Sequence, residues 1–185
     1  ERLDEVIAQT RSAARGWQEL GAAARAGILR KAAVILGQRR ALLLEVMGAE
    51  CAKTLDQGDV EVSEAVDYAN YYAAQGLELE RVAGATWVPS DLTIVTPPWN
   101  FPLAIPAGSV LAALGSGSAV ILKPAHQAKR CGAVLAQALW DAGVPREVLA
   151  LVQLSEQSLG RQLIASPLAD RVILTGAYET ARLFK

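Results

Sequence analysis

The sequence predicts an α/β fold, with a helical layer over residues 1–80 and, over residues 81–185, a partial parallel sheet wound with crossover helices. Three observations predict it. Apolar residues in the first region recur at helical spacing. From Leu92 onward, short apolar runs alternate with helical ones, as in successive crossover units. The helical segments of this second region close on Gly and Pro stops.

In the first region, one helix is expected through Ile28, Leu29, Ala32, Ile35 and Leu36, and a second through Leu42, Leu43, Val46 and Met47. Gly37 and the polar Gln38, Arg39 and Arg40 predict a break between them. A third helix fits Val62, Ala65, Val66, Ala69, Tyr72 and Ala73, with Gly58 and Asp59 before it and Gly76 after it. Nothing in these helices carries chemistry.

In the second region, strands are expected at 92–96, 119–122, 148–154 and 172–174, with helices at about 104–114, 131–142 and 156–165. Gly143 and Pro145 close the second of these helices, and Pro167 follows the third. Gly115, Ser116 and Gly117 look like half of a dinucleotide fingerprint. They follow a helix and precede a strand, the reverse of the required context, so they read as a helix stop.

Composition narrows the function classes. The chain has 185 residues, with 18 Lys and Arg against 19 Asp and Glu. That balance argues against a nucleic-acid partner. Between Asp91 and Lys123 no residue is charged, yet Pro97, Pro98, Pro102, Pro106 and the Gly115 to Ser118 run interrupt the stretch. Buried strands and a helix are expected there, and no membrane span. Cys51 and Cys131 have no metal or redox spacing, so no metal is expected and a reduced, cytoplasmic protein is the default. Cys131 lies near a helix start, which can lower a thiol pKa, yet neither cysteine stands in a nucleophile context and both read as ordinary thiols.

In a parallel sheet, ligands bind beyond the carboxyl ends of the strands, so those ends are the place to look for function. The first is followed by Thr96-Pro97-Pro98-Trp99-Asn100-Phe101-Pro102, whose three prolines stiffen the backbone around Asn100. A rigid amide donor suits an oxyanion. An Asn that satisfies turn backbone groups is the commoner case taken alone. The second strand runs into Lys123-Pro124-Ala125-His126. Such a lysine either snorkels to solvent or meets an anion or a ribose hydroxyl pair. His126 is the only histidine, and no Ser or Asp is spaced to make a triad with it. The fourth strand ends in Thr175 and Gly176 before a helix start; such a Gly lets phosphate approach backbone N–H groups, or simply makes a turn.

Taken together, Thr96 to Leu103, Val120-Ile121-Leu122-Lys123-Pro124-Ala125, Ala142-Gly143-Val144-Pro145 and Ile173-Leu174-Thr175-Gly176 resemble the NAD(P)-dependent aldehyde dehydrogenase superfamily over essentially the whole chain. The run from Glu61 to Tyr68, then Tyr71 to Gln75, with Ala181 in place of a usual Gly, is most similar to L-glutamate-γ-semialdehyde (1-pyrroline-5-carboxylate) dehydrogenases. These include the aldehyde dehydrogenase half of bifunctional proline-catabolic enzymes.

The resemblance implies a truncated, Rossmann-like aldehyde dehydrogenase fold with roles for particular residues. Asn100 would stabilise the oxyanion formed when a cysteine attacks the aldehyde. Pro98, Trp99, Phe101, Lys123, Ala125, His126, Thr175, Gly176 and Ala177 would line the cofactor. Trp99 and Phe101 would lie on the nicotinamide side, Lys123 at the adenosine ribose and Gly176 at the pyrophosphate.

Departures bear on the cofactor. His126 replaces the glutamate of many members, which leaves NAD as the expected cofactor with NADP not excluded. Ala177 replaces a serine, so weaker dinucleotide binding is expected. The family's nucleophilic cysteine and general-base glutamate lie beyond the Thr-Gly motif, and the sequence ends at Lys185. The expectation is therefore the N-terminal, cofactor-binding part of an aldehyde-oxidising homo-oligomer, with the catalytic domain absent and the 185 residues inactive alone. The alternatives are a non-catalytic nucleotide-binding or partner-binding module, or a member acting on another aldehyde class.

Overall fold

The computed structural model describes residues 2–155 and 158–182. Helices α1 (Arg2–Glu19), α2 (Gly21–Gln38), α3 (Arg40–Cys51) and α4 (Leu55–Leu79) come first. They are followed by β1 (Leu92–Thr96), α5 (Ala104–Gly115), β2 (Ala119–Leu122), α6 (Lys129–Ala142), β3 (Leu149–Leu151), α7 (Leu159–Ile164), β4 (Arg171–Leu174) and α8 (Tyr178–Arg182). The four strands form one parallel sheet in the order β3-β2-β1-β4.

Side chains alternate across the sheet with period two. Val95, Val120 and Leu122 join a large core with α5 and α6, while Ile94 and Ile121 point to the other face. Helices α2, α3 and α4 pack on α5 and α6 and form the expected outer helical layer. Helix α1 departs from that layer and lies across the opposite sheet face. Its Leu3 and Ile7 match the apolar surface of Leu92, Ile94, Ile121 and Leu163. Farther along it, Trp17 is buried and donates its indole N–H to the carbonyl of Leu114 at 2.9 Å.

Several boundaries differ from the sequence expectation. Helix α4 begins before Gly58 because Thr54 and Gln57 form a capping box. It also runs through Gly76, where α5 crosses so closely that a Cβ would stand 2.7 Å from the Gly115 carbonyl oxygen. Strand β3 is shorter than 148–154. The next β2 position that would face β3 after Leu122 is Pro124, which has no N–H to give, so the ladder ends with the Val152 amide bonded to Leu122. A 3₁₀ turn at His126–Ala128 precedes α6. Helix α7 is shorter than the expected 156–165, of which residues 156 and 157 lie outside the described residues. Gly115 does end α5, and Gly117 takes a left-handed φ of 97° in the turn after it.

The strand order places the connection after β1 on one side and β4 on the other. The crevice between the carboxyl ends of β1 and β4 is the topological switch point of the sheet. At the opposite end of the same strands, Arg11 bonds Asp91 at 2.9 Å and Asp170 at 2.8 Å. The second oxygen of Asp170 accepts the amides of Asp91 and Leu92. Burial pushes the Asp170 carboxyl up, but Arg11 and those amides outweigh it and hold the group below the ordinary carboxylate range.

Candidate cofactor groove at the strand ends

A cavity of about 680 Å³ opens over the carboxyl ends of β1, β2 and β4. From β1 and the following loop it is lined by Thr96, Pro97, Pro98, Trp99, Asn100 and Phe101. The prolines hold this loop out of helix and strand, so Trp99, Asn100 and Phe101 all stand exposed. Trp99 and Phe101 are 50% and 44% accessible, large apolar faces offered to the groove.

From the end of β2 come Lys123, Ala125 and Gln127. Lys123 is only 4% exposed, so its side chain does not run out to open solvent. Thr175, Gly176 and Ala177 after β4, with Thr180 on α8, complete the wall. A Cβ built on Gly176 would meet nothing within 4 Å, and the residue has no left-handed backbone. Neither packing nor torsion demands a glycine there; a group approaching from the groove would.

The structure thus brings together nine of the ten expected site residues: Asn100, Pro98, Trp99, Phe101, Lys123, Ala125, Thr175, Gly176 and Ala177. It does not bring His126 to the wall, since that side chain is exposed at the start of the 3₁₀ turn between Ala125 and Gln127. Sequence reasoning missed Gln127, Ile105 and Thr180. Their placement depends on where a turn and two helices begin, which strand-end motifs do not encode.

Among the described residues, Lys123 is the only charged side chain of the wall, and no carboxylate lines it. A buried cation at one strand end, an open glycine backbone at another and two exposed aromatic rings fit a dinucleotide.

Neither cysteine belongs to this groove. Both oxygens of Glu50 accept amide N–H groups at 2.8 Å, from Arg130 and Cys131, and so cap α6. The Cys51 thiol donates to the Gln127 carbonyl at 3.3 Å. The lowered Cys131 pKa considered from the helix start is not found. Burial and the neighbouring Glu50 push this thiol far up, and burial raises Cys51 as well. Glu50, Cys51 and Cys131 stand close enough to suggest a metal group, but both oxygens of the carboxylate are committed to the α6 amides. The trio ties α3 to α6.

Residues 1–184 match the model of the aldehyde dehydrogenase family. The chain is 36% identical, over 91% of its length, to the bifunctional protein PutA of Escherichia coli (strain K12). It is 29% identical over its full length to 1-pyrroline-5-carboxylate dehydrogenase 2 of Bacillus subtilis (strain 168). It spans 13% of the first relative and 38% of the second. The solved structure of proline utilization A from Corynebacterium freiburgense superposes with a TM-score of 0.92 at 40% identity, covering all of this chain and 19% of that one.

Proposed function

Because the chain belongs to the aldehyde dehydrogenase family, we propose that it forms the cofactor-binding and oxyanion-stabilising portion of a longer cytoplasmic enzyme. The proposed reaction is oxidation of L-glutamate γ-semialdehyde to glutamate in proline catabolism. The single observation that carries this reading is the convergence of Asn100, Lys123 and Gly176, from three different strand ends, on one groove at the switch point. The relatives named PutA and 1-pyrroline-5-carboxylate dehydrogenase support the choice of substrate.

In this reading Lys123 donates to ribose hydroxyls, and the backbone around Thr175, Gly176 and Ala177 lies against the pyrophosphate. Pro98, Trp99 and Phe101 flank the nicotinamide, Ala125 backs the ribose and His126 stands at the rim. NAD bound here would supply the hydride acceptor, and among the described residues of the wall none is a carboxylate that would turn NADP away. The Asn100 amide donates a hydrogen bond to the oxygen that gains charge when a thiolate adds to the aldehyde carbonyl. Neither Cys51 nor Cys131 lines the groove, and both thiols are held protonated. The nucleophile is therefore proposed to come from outside these residues, and residues 81–185 to be most of the dinucleotide-binding unit.

The test is turnover of glutamate γ-semialdehyde with NAD. The full-length enzyme is expected to form NADH, and the 185-residue chain none. Formation of NADH by the 185 residues alone, or a full-length protein that prefers other aldehydes, would contradict the proposal.

A further inference from the structure

The loop that presents Asn100 is held from behind by a charged pair on the helical layer. Glu61, on α4, is 1% exposed, an unusual place for a carboxylate. One of its oxygens accepts the backbone N–H of Leu103 at 3.0 Å and of Ala104 at 3.1 Å. These are the first donors of α5, whose own N-cap residue Leu103 supplies no side-chain acceptor. The other oxygen lies 2.8 Å from the ammonium of Lys53, which is itself mostly buried. That ammonium sits 4.4 Å over the ring of Phe101.

Asn100 therefore precedes three anchored residues. Phe101 is held through its ring face, Pro102 has a fixed φ, and Leu103 is held through its amide. Both anchors converge on one ion pair that reaches in from the other side of the loop. A buried ion pair is a poor device for stability alone, because desolvation offsets most of its attraction. Its directional bonds do define where a loop sits. The fixed negative charge also opposes the positive end of α5, which favours one seating of that helix start.

We propose that Glu61 and Lys53 are positioning residues for the oxyanion donor, setting the place of the Asn100 amide through Leu103, Ala104 and Phe101. The inference rests on the reading of Asn100 given above. It adds that the helical layer, which contributes no residue to the groove wall, is part of the catalytic geometry.

The test is a set of variants in the full-length enzyme, each read as kcat and as KM for NAD. Glu61→Gln keeps an acceptor for the amides but loses the ion pair, and Lys53→Met loses both the ion pair and the ring contact. Each is expected to lower kcat about tenfold while KM for NAD changes less than twofold, and Lys53→Arg is expected to restore kcat to within about threefold. In an Asn100→Ala background, Glu61→Gln and Lys53→Met are expected to cost less than twofold further, because their effect runs through Asn100. Equal fold losses in both backgrounds, or a loss that moves KM for NAD and not kcat, would overturn the positioning role. If Asn100→Ala alone leaves kcat unchanged, the failure lies with the reading of Asn100. Should Glu61→Gln fail to fold, Lys53→Met against Lys53→Arg decides the question by the same criteria.

Discussion

Asn100 is uncharged and exposed, so its chemistry depends entirely on where it is held. Its three neighbouring prolines are the local part of that hold, and their spacing alone singles the residue out in the sequence. Replacing it with Ala in the full-length enzyme is expected to lower kcat by about 10²-fold, the usual cost of one oxyanion donor, with little change in KM for NAD; steady-state kinetics read both. Lys123 and Gly176 were legible for a related reason, since each ends an apolar strand and sheet topology brings strand ends together. Glu61 was not: its partners Leu103 and Ala104 lie 42 and 43 positions away, and a long-range cap leaves no periodic trace. The cysteines show the same limit in the other direction. A helix start alone would allow a lowered thiol pKa, but the carboxylate of Glu50 already occupies the α6 amides, in keeping with the reading of both cysteines as ordinary thiols. Cys131 is expected to react with a thiol reagent at pH 8 much more slowly than a free cysteine, with Cys51 the faster of the two; mass spectrometry of the alkylated chain would show the order.

At the scale of elements, two joints hold the sheet in place under the groove. The α4 and α5 helices cross at Gly76 and Gly115, where backbone meets backbone. Gly76→Ala forces a methyl group into the Gly115 carbonyl, and a loss of about 1–3 kcal/mol is expected in denaturant unfolding. Read from the sequence, Gly76 was a helix end; the reason for the glycine lies in the other helix, which no local pattern reveals. The second joint is Arg11 with Asp91 and Asp170, which ties α1 to the amino ends of β1 and β4. Because Asp170 titrates lower folded than unfolded, it stabilises the fold above about pH 4, the ordinary unfolded value. That contribution is lost as pH falls through the lower folded value. Asp170→Asn is therefore expected to lower stability at pH 7 by about 1 kcal/mol, kept small by partial exposure, and to flatten the acid limb of the stability curve. The crossing of α1 to the far face was also not legible. Its stripe of Leu3, Ile7, Ala14 and Trp17 marks a buried face but does not say against which layer.

For the molecule as a whole, the sheet has two unlike flanks. Strand β3 lies under α6, whereas β4 leaves Val172 37% exposed beside the exposed Leu168. An open edge with apolar side chains favours pairing with a second strand. We expect the 185-residue chain to self-associate as its concentration rises; light scattering that reports a strict monomer at millimolar concentration would contradict this. The same architecture concentrates the expected cofactor contacts on one end of the sheet, with the helical layer holding the loop that carries Asn100. The parallel sheet and its strand ends could be read from alternating apolar runs and stop signals. The brace behind Asn100 arises only when the two regions of the chain pack together. Calorimetric titration of the 185-residue chain with NAD tests the account most directly, with NADP and the variant Lys123→Ala as companions. Saturable one-to-one binding of NAD is expected, weakened at least about tenfold by Lys123→Ala. No heat with either dinucleotide, or binding unaffected by that substitution, would contradict it.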